Sequence, residues 1–210
     1  ARAKLSQSYG AQLVYLVASA GGMLRADVEA EYRAVRAVSD VPLGFHGHDN
    51  LGLAIGNSLR AVELGVDLVD SSLQGMGRSA GNAPTEMLLV ALRKAGYATG
   101  VDELAAMDAG EKYIRPLIRR KGVSSLDVVT GSAQFHSSYM GIIRRFSLRY
   151  QVDPRKLIQR LCEVDKVNAP PALVERLAQE LQSEAGEVFT ARFEFDEYVG
   201  SEQTGRAARS

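Results

Sequence analysis

Apolar and polar positions along the first hundred residues fall into two alternating patterns. Residues 12–18, "QLVYLVA", form a short, unbroken apolar run of the kind buried on both faces of a parallel sheet. The run ends at "SAGGM", where two glycines make a turn. From residue 26 to 38, Val28, Tyr32, Val35 and Val38 recur at helical spacing with charges between them. Asp40, Val41 and Pro42 close that helix, because proline disfavours helix in the residue before it. "PLGFHGH" then predicts a second strand, residues 51–65 a second helix ending at Gly65, and "VDLVDSSL" a third strand. After the loop "QGMGRSAGNAPTE" a third helix is expected over 85–95, with Pro84 near its first turn, where its missing N–H costs nothing.

Strand and helix alternating at this spacing is the βαβ pattern and implies a parallel sheet with right-handed crossovers. Beyond residue 100 the character changes. No strand pattern stands out up to residue 185 and helical patterns dominate, for example Asp153 and Pro154 as cap and first position before "RKLIQRL". Near the end, "EVFTARFEFDEY" alternates Phe189, Ala191, Phe193 and Phe195 with Thr190, Arg192, Glu194 and Asp196, a period of two that predicts a strand or a docked extended arm. Residues 200–210 are expected to be a disordered tail. The expected domains are therefore 1–100, 101–185 and an arm with its tail over 186–210.

Composition narrows the classes. With 210 residues, 46% of them hydrophobic, the chain can bury a real core. Its 25 basic and 25 acidic residues cancel, which removes the global field that would recruit nucleic acid or an anionic membrane; Arg119, Arg120 and Lys121 make only a local patch. The single cysteine, Cys162, excludes an intrachain disulfide and a cysteine-built zinc cage and fits a reducing compartment. No stretch approaches the roughly 18 apolar residues of a membrane span, and no basic-then-apolar signal opens the chain. A cytoplasmic protein without a membrane or nucleic-acid partner is expected.

Candidate chemistry centres on "GFHGHDN", which holds two of the chain's three histidines. In a strand, side chains two apart share a face, so His46 and His48 project together with Cα atoms about 6.6 Å apart, close enough for two imidazoles to converge on one ion. They sit at the carboxyl end of their strand, where barrel and open α/β enzymes keep their sites. Spacing alone leaves two half-buried histidines satisfied by their neighbours as an equal alternative. Asp49 and Asn50 are either orienting groups or the cap of the next helix, with Asn50 the better cap. Gly75, Gly77 and Gly81 give G-x-G-x-x-x-G, one residue longer than the dinucleotide fingerprint. The backbone N–H groups there, with Arg78, offer a phosphate or carboxylate cradle, or the glycines serve only a tight turn. Asn82 either caps the third helix or sets its amide oxygen beside a metal.

The stretch "FHGHDNLGLAIGNSLRAVELGVDLVDSSLQGMGRSAGNAPTE" resembles the His-x-His to A-G-N-A-P-x-E block of the 4-hydroxy-2-oxovalerate aldolases, within the superfamily of 3-hydroxy-3-methylglutaryl-CoA lyase and isopropylmalate synthase. "QSYGAQLVYLVASAGGM" is similar to the preceding strand of those aldolases, and "YIRPL" and "FHSSYMG" fall where their helical carboxyl-terminal region begins. The similarity covers residues 1–160. It implies an α/β fold: the last three βα units of a TIM (β/α)8 barrel plus a C-terminal, mainly helical domain.

By position, His46 and His48 resemble the two histidine ligands of a divalent ion, manganese first, with magnesium or cobalt as alternatives. Ser19 matches a serine near the pyruvate-binding region, and Asn82 an asparagine at or beside the metal. The implied reaction is reversible aldol cleavage of a 4-hydroxy-2-oxoacid to pyruvate and an aldehyde, in aromatic hydrocarbon catabolism; the metal polarises the 2-oxo group and stabilises the pyruvate enolate. Two positions depart from the family pattern. Ala18 stands where an acidic residue usually precedes the serine, and His136, with Tyr139 nearby, stands where the aldolases carry an active-site tyrosine. His136 is a candidate proton donor or water-positioning group, or a packing or helix-surface histidine.

The family's first-strand Arg-Asp pair and its catalytic histidine have no counterpart here, and three strands cannot close an eight-stranded barrel. The expectation is an incomplete metal-dependent class II pyruvate aldolase, completed by an oligomer or a complementing barrel segment, whose helical region docks an acylating aldehyde dehydrogenase. The rivals are a Claisen-type acyl-CoA condensing enzyme or lyase, and a non-catalytic scaffold or regulatory subunit.

Overall fold

A computed structural model of the chain describes residues 2–118, 123–184 and 193. The chain divides into two compact units, Ala1–Gly122 and Val123–Ser210, so that the first runs past residue 100.

In the first unit, helix α1 (Arg2–Ser8), which no sequence pattern announced, precedes a three-stranded parallel sheet. Strands β1 (Val14–Ala18), β2 (Leu43–Gly47) and β3 (Leu68–Val69) lie in the order of the chain, with Val17 beside His46 and Phe45 beside Val69. Helices α2 (Arg25–Arg36) and α3 (Ala54–Leu64) make the crossovers; α3 stops at Gly65, whose φ of 91° is the left-handed conformation that glycine takes without a steric cost. The third strand is shorter than the expected 66–73. Asp70 still donates its N–H to the Phe45 carbonyl at 3.2 Å, but from Ser72 the backbone bonds instead to Ala83 and Thr85, the far end of its own loop.

Residue parity sorts the two faces of this sheet. Leu16, Ala18 and Phe45 pack with Val28 of α2 and Ala61 of α3, and Val69 joins them. The opposite face carries Tyr15 and Val17 of β1, Gly44 and His46 of β2, and Leu68 of β3, with Asp70 continuing the alternation just past the strand. Val17 and Leu68 remain 45% and 47% exposed there. Gly44 makes room on that face for the Tyr15 ring, which a Cβ there would force to move. After β3 the chain runs through helix α4 (Thr85–Lys94), helix α5 (Glu103–Ala109) and a wider π-type turn, Gly110–Ile114.

The second unit carries helices and, among its described residues, no strand: α6 (Ser125–Ala133), α7 (Met140–Tyr150), α8 (Pro154–Val164) and α9 (Pro171–Glu184). Their apolar stripes meet in one core that includes Leu126, Met140, Ile143, Phe146, Leu157 and Val174. Caps set the helix starts. The Asp127 N–H donates to Ser124 Oγ while Asp127 Oδ2 accepts the Ser124 N–H at 2.7 Å. Asp153 accepts the Arg155 N–H at 2.8 Å with Pro154 at the first helical position, as the sequence expected. Phe193 packs against this core. The rest of the expected arm over 186–200 and the tail over 200–210 lie outside the described residues. Among the described residues no helix is long and apolar enough to cross a membrane.

Candidate metal and substrate site

The carboxyl ends of the three strands carry interlocking loops. Leu51 donates its N–H to the Gly21 carbonyl at 3.1 Å, joining the loop after β2 to the loop after β1. Gly21 has φ 62°, and a Cβ on it would collide with Asn50. The loop after β3 folds back across β2: Ala83 N–H donates to the Gly47 carbonyl, Asp49 N–H to the Gly81 carbonyl, each at 3.0 Å, and His48 and Asn82 form an antiparallel bridge. Bridge partners project their side chains to one side, which puts the Asn82 amide on the His48 side.

At this junction the two histidine rings stand edge to face with centroids 5.0 Å apart. His46 Nδ1 lies 2.6 Å from Asp70 Oδ1. A carboxylate only accepts, so Nδ1 carries a proton, and in the neutral ring Nε2 then keeps its lone pair for an external ligand, the usual arrangement of a metal-binding imidazole. The Asn82 Nδ2 group donates to the Met76 carbonyl at 3.4 Å, whereas Asn82 Oδ1 is buried without a hydrogen-bond partner among the described residues. A buried acceptor without a donor is costly unless something else satisfies it. Two imidazoles and one amide oxygen suit a divalent ion of the manganese, cobalt or zinc type, but they are a partial set. Among the described residues no group of three or more His, Cys, Asp or Glu side chains is placed to hold a metal.

The other residues singled out by the sequence are spread over both units. Ser19 occupies the turn directly after β1, closed by the Gly21 N–H on the Ala18 carbonyl at 2.9 Å. Ala18 itself points to the helix side, packed with Leu16 and Phe45, so the missing carboxyl leaves an apolar core and not the face of His46. Capping of α3 falls to Asp49 and not to Asn50: Asp49 Oδ1 accepts the Ala54 N–H at 2.9 Å, and burial pushes its carboxyl pKa up against that bond. Asn50 is buried and donates to Ser79 Oγ at 2.6 Å, tying the second loop to the third. Of the N–H groups at the third loop, those of Gly75, Gly81, Asn82, Ala83 and Thr85 go to the carbonyls of Ser72, Arg78, Gly75, Gly47 and Ser72. Asn82 does not cap α4.

His136 and Tyr139 belong to the second unit. His136 is exposed, and its Nδ1 accepts the Ser138 N–H at 3.1 Å, capping the single turn Ser137–Tyr139. Since Nδ1 accepts, the neutral ring carries its proton on Nε2. The Tyr139 ring lies 6.3 Å from that of His136 and packs against the helical core. Two residues escaped the sequence reading. Asp70 is two positions beyond Leu68 and so on the His46 face, a parity that "VDLVDSS" displays. Glu86, the last residue of "GNAPTE", is buried with its carboxylate on the Gln74 N–H.

Comparison with known proteins places this geometry. The family model described as HMGL-like matches residues 1–112. A 4-hydroxy-2-oxovalerate aldolase of Carboxydothermus hydrogenoformans is 40% identical over 86% of this chain and 54% of its own length. Another, from Pelotomaculum thermopropionicum, is 43% identical over 76% of this chain and 47% of its own length. The chain thus spans about half the length of these relatives. Among solved structures, the carboxyl transferase domain of Rhizobium etli pyruvate carboxylase, with pyruvate and biocytin, superimposes with a TM-score of 0.64 at 19% identity, over 87% of this chain and 33% of that one. At that identity the likeness concerns the fold alone.

Proposed function

The chain belongs to the HMGL-like family, and on that premise we propose that it carries the histidine half of the metal site of a pyruvate aldolase, a lyase that cleaves 4-hydroxy-2-oxoacids to pyruvate and an aldehyde. The observation that carries this reading is the His46 and His48 pair at the strand ends, with Asp70 holding the His46 ring so that Nε2 is free to ligate. His46 and His48 would hold a divalent ion, manganese in the first instance, with the Asn82 amide oxygen at or beside it. Bound there, the ion supplies Lewis acidity towards a 2-oxo oxygen.

The protein's own residues supply orientation and proton control. Asp70 fixes the His46 tautomer and so raises its basicity as a ligand. We assign Ser19, in the turn after β1, and Asn82 to the binding of the small carboxylate substrate beside the ion. We assign proton donation or water positioning to His136 and Tyr139. The three strands are read as the last three of an eight-stranded barrel, and the open Val17 and Leu68 face as the side that the other strands cover, from another segment or chain. The helical unit is the proposed docking region for an acylating aldehyde dehydrogenase.

The experiment is a paired one on the native protein, together with whatever segment or chain accompanies it. Calorimetric titration with Mn2+ is expected to give one site per chain, and pyruvate release from a 4-hydroxy-2-oxoacid to require it. Pyruvate release that survives removal of the metal, or is unaltered in His48→Ala, would refute the reading.

A further inference from the structure

The loop that presents Asn82 is held from outside the histidine cluster, by a carboxylate with no part in the proposed chemistry. Glu86, in the first turn of α4, is 8% exposed, and both of its oxygens accept the Gln74 N–H at 3.0 Å. The Gln74 side chain turns back to the same group, Nε2 reaching Glu86 Oε1 at 3.3 Å while its own Oε1 accepts from Arg115 at 3.1 Å. Gln74 has φ 56°, a left-handed backbone that a residue with a side chain keeps only when its surroundings hold it there.

The strain at Gln74 has a use one residue later. The Gly75 carbonyl accepts the Asn82 N–H at 3.1 Å, and the approach is so close that a Cβ on Gly81 would collide with that same carbonyl. A Cβ on Gly77 would stand 2.8 Å from the Asn82 amide nitrogen. From the other side, Gly110 in the π-type turn leaves the space that the Glu86 carboxylate occupies; any Cβ there would collide with Oε1. Three glycines and one strained glutamine are thus arranged around the line from Glu86 to Asn82.

We infer that Glu86 is a positioning residue: by gripping the Gln74 N–H it holds the left-handed turn that aims the Gly75 carbonyl, and that carbonyl fixes Asn82 with its amide beside His48. The clamp itself stands on the geometry of this loop; its consequence for a metal rests on the proposed function.

The test follows hydrogen exchange of the loop amides in the native protein, with Mn2+ titration in parallel. Glu86→Ala is expected to speed exchange at Gln74 and Asn82 on the order of tenfold while α2 and α3 keep their protection, and to weaken Mn2+ binding about tenfold. Adding Gln74→Gly should return both most of the way, because glycine holds a positive φ without a clamp. A purely structural loss would not be rescued by that second change. Unchanged exchange in Glu86→Ala, acceleration spread evenly through α2, α3 and the loop, or no recovery in the double variant would each overturn the inference. Should Glu86→Ala fail to fold, Glu86→Gln, which keeps one acceptor oxygen, carries the same comparison at an expected threefold or so. A loop that responds as described in a protein that binds no Mn2+ would uphold the clamp and sink the metal assignment.

Discussion

The two units bury their apolar residues differently. In the second, α6 to α9 turn their stripes onto one another, and the core runs from Leu126 to Leu181 with fully buried large side chains such as Phe146, Ile143 and Leu157. In the first, one face of the sheet has a small core of Leu16, Ala18, Val28, Phe45 and Ala61, while the other leaves Val17 and Leu68 nearly half exposed. Parallel sheets are normally covered on both faces. The helical unit builds the larger core although Val128, Leu148, Val164 and Val167 stay exposed, whereas the sheet's packed core lies on the side its helices reach; among the described residues Val17 and Leu68 stay nearly half exposed on the side of His46 and Asp70.

This contrast can be broken or sharpened by substitution. The largest effect is expected from His46→Ala, which should take metal-dependent pyruvate release to background while leaving the unfolding transition of the helical unit in place. A variant with residual metal-dependent turnover like the wild type would remove His46 from the ligand set. Next, Phe146→Ala should cost about 3–5 kcal/mol in chemical denaturation. Its local readout is Cys162, buried in the same core with its thiol pKa pushed up by that burial, so labelling should be slow in the native protein and accelerate in this variant. Equal labelling rates would show that the helical core does not depend on Phe146. Asp70→Asn should weaken Mn2+ binding some 10- to 100-fold, since it loosens the ring without removing a ligand; unaltered affinity would make the Asp70 contact incidental. Val17→Ala is expected to change stability by no more than about 0.5 kcal/mol, as for an exposed position. A cost of about 1 kcal/mol or more in the native protein would mean that this face is covered there, which would favour the completed barrel.

The smallest effect concerns acid. The Leu43 N–H and then Arg36 hold the Asp67 carboxyl below the ordinary 3.8, at the start of β2. In the second unit the N–H groups of Asn168 and Val167 do the same for Asp165. For a depressed carboxyl pKa the stabilisation is complete above the unfolded value and is lost as pH falls through the folded one. Asp67→Asn should therefore flatten the acid limb of the sheet unit and Asp165→Asn that of the helical unit, each followed by circular dichroism below pH 4. Identical acid limbs in variant and wild type would show that these contacts do not bear on stability.

Much of the site was legible because strand parity is a local rule. "GFHGHDN" puts His46 and His48 on one face without reference to anything distant, and the end of the apolar run puts them at the carboxyl end of the strand. The helix starts at Ser124 and Asp153 are equally local, since a cap serves N–H groups within the next three residues. The third loop was not legible in the same way. Its glycines are visible, but nothing near Gln74 in sequence says that Glu86, twelve positions on, will grip its N–H, or that Gly110 will leave room for that carboxylate. Asn50 was the better cap by residue type, yet its amide goes to Ser79 in another loop, and Asp49 takes the helix instead.

The sequence by itself determined what depends on neighbours along the chain: alternating strand and helix, the histidine pair, the Asp153 cap, the turn glycines, and the family those patterns belong to. Only the tertiary structure decided which side of β1 Ala18 takes, that Asp70 carries the His46 proton contact, that the Asn82, Ala83 and Thr85 N–H groups go to carbonyls of the neighbouring backbone, and that Val17 and Leu68 stay nearly half exposed. The reason is physical. Periodicity and capping act over one turn or one pleat, whereas a buried polar group is satisfied by whatever donor the fold brings within 3 Å or so, and sequence distance places no limit on where that donor comes from.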